Sequence, residues 1–242
     1  WGEVAGDGLH AFIGKPCDVS AVAELRRRDP ELDQRLGLVL SIFCAGTASS
    51  RCTLDLIGQL GAKPEDATEG HYRGSGWPGR FLMTLRSGES SKTLAYAESW
   101  ARPTSYRPLR CNLCPDGLGR LADISCGDAW DQFEENGDPG RSLILVRTER
   151  GRRHLREAAS AGYITLNPAG AVRVMAAQKN LLERHKEIFG RLAALQVAGA
   201  PVPAFRGFSL FRSWVSAGPR RWAATFGGTL RRVVQREWFR RR

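Results

Sequence analysis

Two short apolar, β-prone runs, each closing on a cysteine and each followed by helical periodicity, constrain this chain more than any other feature. Residues 9–13 (LHAFI) run into Gly14-Lys-Pro-Cys17, and residues 37–43 (GLVLSIF) stop at Cys44-Ala-Gly-Thr. After the first run comes Asp18-Val-Ser-Ala-Val-Ala-Glu-Leu-Arg-Arg-Arg, a helical pattern with Asp18 expected as its cap. After the second, a helix is expected over Ala48 to Leu60. Strand–helix–strand–helix is the opening of a parallel sheet, since parallel neighbours need a crossover between them. The expected fold class is α/β: a parallel or mixed sheet with flanking helices, a β-rich middle insertion, a C-terminal helix and a basic tail. Cys17 and Cys44 then stand at the carboxyl ends of strands, the edge where open α/β sheets bind ligands.

The middle of the chain, roughly 61–110, is rich in Gly, Pro and Ser, with short β-like runs at Phe81–Arg86 and Lys92–Tyr96. His71-Tyr-Arg-Gly-Ser-Gly-Trp-Pro-Gly reads as a glycine-rich turn between strands, one that lets backbone approach a ligand closely. Leu121–Asp128 reads as a short strand ending in a turn, residues 142–148 (SLILVRT) as a buried strand, and Glu149–Ala161 as a helix. Residues 171–196 are expected to be helical, with Pro201 and Pro203 ending the ordered body. This gives a domain over 1–205 and a tail over 206–242, the tail interrupted at Gly218-Pro219 and Gly227-Gly228.

The net charge of +11 first suggests a nucleic-acid partner. Its distribution argues otherwise. From Ala204 to Arg242 ten arginines face one acid, Glu237, so the tail holds +9 of the +11. The body is nearly neutral, no recognisable nucleic-acid module accompanies the tail, and no nucleic-acid partner is expected. Trp and Phe interleave with these arginines as on an interfacial helix, which makes an anionic membrane surface or an acidic partner the expected contact, against a solvated tail. No run approaches the roughly 20 apolar residues of a membrane span. The chain opens at Trp1 without an initiator methionine and is expected to continue a longer native N-terminus. The expected location is cytoplasmic, with a peripheral position at the inner membrane face open to the tail.

Six cysteines occur: Cys17, Cys44, Cys52, Cys111, Cys114 and Cys126. A chain of 242 residues does not need a disulfide frame, and a CxxC pair points to metal, cluster or redox chemistry in a reducing compartment. Cys111 and Cys114 supply two thiolates from one short turn, and four thiolates complete either a zinc site or a [4Fe–4S] cluster. Spacing alone leaves cluster, zinc and redox disulfide open. Cys52, inside an apolar helix, reads as a small core hydrophobe. The four histidines are scattered, with no HExxH pattern to support a zinc hydrolase.

Taken in order, these segments resemble the coenzyme F420 hydrogenase/dehydrogenase beta-subunit family. Gly14-Lys-Pro-Cys-Asp-Val-Ser-Ala-Val is similar to its G-x-P-C-Q-x-A-A-L turn, and Gly37-Leu-Val-Leu-Ser-Ile-Phe-Cys to its strand ending in F-C. Tyr72-Arg-Gly-Ser-Gly-Trp-Pro-Gly resembles its glycine-rich turn. Cys111-Asn-Leu-Cys-Pro-Asp and Ala122-Asp-Ile-Ser-Cys-Gly-Asp resemble C-x-x-C-x-D and A-D-I-S-x-G-D. Arg141-Ser-Leu-Ile-Leu-Val-Arg-Thr-Glu-Arg-Gly, Gln178 to Lys186 and Val202-Pro203 continue the likeness over roughly residues 8–205.

The resemblance implies an iron–sulfur flavoprotein: a [4Fe–4S] cluster held by Cys17, Cys44, Cys111 and Cys114 beside a flavin, FAD. For the flavin it implies the turn Arg73, Gly74, Gly76 and Gly79 and the loop Asp123, Ser125, Gly127 and Asp128. For Asp123 and Asp128, turn capping stands beside that role. The implied partner is a redox protein or a small redox coenzyme, F420 or ferredoxin among them. Asp18 departs from the family's usual Gln, and Cys126 falls where an apolar residue is usual, which makes it a rival ligand. Two other functions stand beside the redox enzyme: a non-catalytic zinc-thiolate scaffold, and an accessory protein of a polysaccharide-modification pathway.

Overall fold

The computed structural model describes residues 8–86, 92–101, 105–132 and 139–235. The chain forms two compact units. The first takes Trp1–Ala45, Leu113–Asp128 and Ser142–Arg242, and the second takes Gly46–Asn112 and Ala129–Arg141.

The first unit is built on a four-stranded mixed sheet. Strand β1 (His10–Gly14) pairs in parallel with β2 (Leu36–Ile42), so that Gly14 lies opposite Ser41. Between them run helices α1 (Pro16–Arg26) and α2 (Pro30–Arg35). This is the expected opening, because a helical crossover is the short route between parallel neighbours. Asp18 is not the cap of α1. The helix starts two residues earlier, where Pro16 fits the first turn without needing an N–H partner, and Asp18 instead reaches back to accept the Lys15 N–H at 3.0 Å. Val19 and Val22 of α1 close over Val39 and Ala122 in the core.

After the first stretch of the second unit, β6 (Ile124–Asp128) joins β2 in parallel, and after its second stretch β7 (Ser142–Val146) adds to β6 antiparallel. The order is β1-β2-β6-β7. As an edge strand β7 buries only Leu143, less than its run of apolar residues suggested. Thr148 caps α6 (Glu149–Ser160) by accepting from Gly151 N–H at 3.0 Å.

The 171–196 stretch is three helices rather than one: α7 (Ala171–Ala177), α8 (Lys179–His185) and α9 (Ile188–Val197). Gln178 leaves helical geometry between the first two, at φ −115° and ψ 28°. Pro201 and Pro203 do not end the packed chain. Helices α10 (Leu210–Val215) and α11 (Pro219–Gln235) follow, and Val233 is fully buried with Leu195 and Leu113. The break at Gly218-Pro219 falls between these helices as expected, but Gly227-Gly228 lie inside α11. The packing of its Thr225, Thr229 and Val233 face outweighs the roughly 1 kcal/mol that each helical glycine costs. Residues 236–242 of the tail lie outside the described residues.

The second unit holds α3 (Ser50–Gln59), a three-stranded antiparallel sheet of β3 (Ala67–Gly74), β4 (Arg80–Leu85) and β5 (Lys92–Leu94), and helices α4 (Tyr96–Ala101) and α5 (Leu109–Asn112). Its core is Cys52, Leu56, Ile57, Phe81, Met83 and Leu85. Cys52 is wholly buried there.

Candidate functional site

The parallel sheet of the first unit carries thiols at its carboxyl edge. Cys17 lies in the first turn of α1, three residues beyond β1, and Cys44 lies two residues beyond β2. Since β1 and β2 are neighbours in register, the two cysteines follow adjacent strand ends. The Cys44 N–H donates to the Gly117 carbonyl at 2.9 Å, which ties that strand end to the loop carrying Cys114. Cys114 Sγ donates to the Asp116 carbonyl at 3.3 Å.

Charges mark the same neighbourhood. Lys15 sits above the ordinary lysine value, chiefly through its hydrogen bond to Asp18, with Cys17 and Cys44 adding to the effect. Burial pushes the Cys114 thiol up, against its bond to Asp116 and the pull of Arg184 toward the thiolate, while Cys17 opposes ionisation. Cys111 belongs to the second unit, where its Sγ lies 3.8 Å from the Thr47 hydroxyl. Among the described residues no disulfide forms, and no three His, Cys, Asp or Glu side chains are gathered as a ready-made metal cage. Cys126, in β6, has its thiol pushed up by burial.

Asp123 and the β6 residues Ser125, Gly127 and Asp128, expected as a loop, are largely engaged within the protein. Asp123 is 3% exposed and accepts from the Val39 N–H at 2.8 Å, the Thr148 hydroxyl at 2.6 Å and Arg150 at 3.0 Å. Burial alone raises its pKa, but Thr148, the Val39 N–H and Arg150 outweigh it, so the carboxyl stays below the usual carboxylate range. Ser125 is fully buried, donates to the Leu118 carbonyl at 2.7 Å and accepts from Arg147 at 2.5 Å. A Cβ on Gly127 would run into the Phe43 ring. The Asp128 carbonyl accepts from the Gln178 side chain at 2.6 Å.

In the second unit the turn after β3 holds Ser75 at φ 60°, Gly76 at φ 75° and Gly79 at φ 85°. A Cβ on Gly79 would sit 2.8 Å from the Arg73 backbone, whereas open space lies beyond Gly76. Gly74 packs on Leu82. Arg73 donates to the Pro78 carbonyl at 2.8 Å and lies over the Trp130 ring at 5.7 Å and the Tyr96 ring at 6.0 Å. Trp77 stacks on Trp130 with centroids 5.3 Å apart. Sequence reasoning missed Tyr96 and Trp130, which stand far from the turn in sequence and match no motif. Arg184, which donates to the Cys44 and Ala45 carbonyls, was missed for the same reason.

The family model described as the C terminus of the coenzyme F420 hydrogenase/dehydrogenase beta subunit matches residues 8–171. The chain belongs to this family. It is 26% identical over 180 residues to the F420-dependent formate dehydrogenase 1 subunit beta of Methanococcus maripaludis, covering 70% of this chain and 44% of that one. Against the F420-dependent formate dehydrogenase subunit beta of Methanocaldococcus jannaschii it is 26% identical over 157 residues, covering 64% of this chain and 38% of the other. With the coenzyme F420 hydrogenase subunit beta of Methanococcus voltae it shares 24% identity over 199 residues, 79% of this chain and 65% of that one. The chain therefore spans less than two thirds of each of these relatives. Its fold is similar to a chain of the F420-reducing [NiFe] hydrogenase complex from Methanosarcina barkeri, with TM-score 0.50 and 17% identity, covering 76% of this chain and 61% of that one.

Does the donor set fit the cofactors that the resemblance implies? Two thiols after neighbouring strand ends, with a third in a loop bonded to one of those ends, are the soft donors that iron–sulfur clusters take. The turn at 74–79, open beyond Gly76 and flanked by stacked indoles, suits a flat ring with a phosphate tail. Asp123 and Ser125 suit it less, because their polar atoms are already spent inside the first unit. Among the described residues no helix is long and apolar enough to cross a membrane.

Proposed function

We propose that this chain is the catalytic or electron-transfer part of an oxidoreductase beta subunit, an iron–sulfur flavoprotein that passes electrons between a flavin and a [4Fe–4S] cluster. The observation that carries this reading is the position of Cys17 and Cys44 after neighbouring parallel strand ends, with the Cys114 loop bonded to one of them. Cys17, Cys44 and Cys114 are ligands, and Cys111, the other thiol of the CxxC, is the fourth. Arg73, Gly74, Gly76 and Gly79 hold the FAD phosphates. When bound, the flavin supplies two-electron chemistry and the cluster one-electron chemistry.

The protein's own part is to bind and to set charge. Lys15, ion-paired with Asp18 in the first turn of α1, and Arg184, bonded to the Cys44 carbonyl, bring cations to the stretches that carry Cys17 and Cys44. The named relatives make a deazaflavin coenzyme of the F420 type the first candidate for the electron pair, and a redox protein the partner for single electrons. The arginines of α10 and α11 suit a peripheral contact with an anionic membrane face.

The test is an ultraviolet–visible spectrum of anaerobically purified, cofactor-replete protein before and after dithionite. Flavin peaks over a broad cluster shoulder, both bleaching on reduction, are expected. A colourless protein carrying zinc and no iron, sulfide or flavin would overturn the reading.

A further inference from the structure

Helix α8 touches three loops at the carboxyl edge of the first unit's sheet. Gln178, at its N-terminal cap and 5% exposed, donates to the Asp128 carbonyl at 2.6 Å. His185 places Nδ1 2.9 Å from the Pro115 carbonyl and Nε2 3.1 Å from the Phe208 carbonyl. Between them in sequence, Arg184 donates to the carbonyls of Cys44 and Ala45, the former at 3.3 Å. One short helix therefore grips the strand end that carries Cys44, the residue after Cys114, and the end of β6.

Gripping a carbonyl needs only a donor. A neutral Gln or Asn would do it without the cost of holding a full charge in a half-buried place. What a guanidinium adds is a permanent positive charge, and two bonds in the Cys44–Ala45 loop fix where that charge stands. It stands beside the thiol edge, since one of the two carbonyls it holds belongs to Cys44 itself.

We infer that Arg184 is a positioning residue whose cationic charge, fixed on the Cys44 loop by two carbonyls, raises the reduction potential of the cluster held there. This rests on the proposed iron–sulfur reading. A four-thiolate cluster is anionic and gains a further negative charge on reduction. A fixed cation nearby stabilises the reduced state more than the oxidised one. Removing it shifts the couple toward more negative potential.

The test is an anaerobic redox titration of the holoprotein, followed by electron paramagnetic resonance, with Arg184→Gln, Arg184→Lys and Arg221→Gln beside the parent. Arg184→Gln is expected to weaken reduction by about tenfold, a shift of about 59 mV for one electron. Arg184→Lys should stay near the parent potential. Arg221→Gln removes a cation that is ion-paired with Glu183 on the same helix, and it should leave the potential unchanged. A cluster-loaded Arg184→Gln protein with the parent potential overturns the inference and leaves the iron–sulfur reading intact. If Arg184→Gln fails to hold iron, Arg184→Lys decides: parent potential and iron content support a charge role, and loss or a large shift overturns it. Absence of any cluster in the parent would sink the underlying reading instead.

Discussion

Asp123 shows how much a single buried carboxylate can do. It closes the turn before β6 by accepting a strand N–H, a hydroxyl and a guanidinium at once. Replacing it by Asn leaves Arg150 short of its counter-charge and turns one acceptor into a donor facing donors. Asp123→Asn should cost about 3 kcal/mol or more, as breaking a buried pair does, measured by urea unfolding. The acid limb carries the same signature. Because its native pKa lies below the unfolded value, this carboxylate contributes stability above about pH 4 that is lost as pH falls through the native pKa. The parent should lose stability over that acid range, and Asp123→Asn should show a flatter limb there. Equal slopes would remove the residue from this role.

At the scale of elements, Gly127 separates packing from ligand binding. The strand pair β2–β6 brings Phe43 over this glycine, and the Phe43 N–H donates to the Cys126 carbonyl at 2.7 Å. A methyl group there has no room, so Gly127→Ala should destabilise by about 1–3 kcal/mol in chemical denaturation, with or without flavin. Unchanged stability with lost flavin would make the glycine a ligand contact instead.

The elements also show what the sequence could carry. The β1–α1–β2 opening was legible because apolar runs and a helical stretch of crossover length act locally, although the start of α1 at Pro16 was missed. Strand β3 was not, since its run Ala67–Gly74 is polar and mostly exposed and becomes a strand by pairing with β4. The Cys17 and Cys44 edge followed from the strand–helix–strand order, which makes the two strands parallel. Arg184 did not, because its partners lie about 140 residues away and no local pattern announces a carbonyl clamp. Gly227-Gly228 misled for the opposite reason: local propensity argued for a break that packing against α9 overrides.

For the whole molecule the basic tail matters most. Its apolar face is spent inside the first unit, where Thr225, Thr229 and Val233 are buried. What remains outside is mainly cationic, with Arg206, Arg212, Arg220, Arg231 and Arg232 exposed, together with Phe211, Val215 and Val234 at 59%, 42% and 74% exposure. Such a surface attracts anionic lipid by charge, with little apolar insertion, and so responds strongly to salt. The full chain is expected to float with anionic vesicles at low ionic strength, to release from them near 1 M salt where screening is nearly complete, and to ignore neutral vesicles. No binding to anionic vesicles would remove the membrane role.

The first unit is assembled from three stretches of chain, and Val233 meets Leu113 and Leu195 in its core. On the ribosome, that core cannot close until the segment through Val233 has emerged. The second unit's core, from Cys52 to Leu85, is made early and is local in sequence. The first unit therefore remains incomplete long after its cysteines have left the exit tunnel. Through that interval Cys17, Cys44 and Cys114 stand outside a finished core, so the order in which the chain emerges sets how long these thiols wait for their final surroundings.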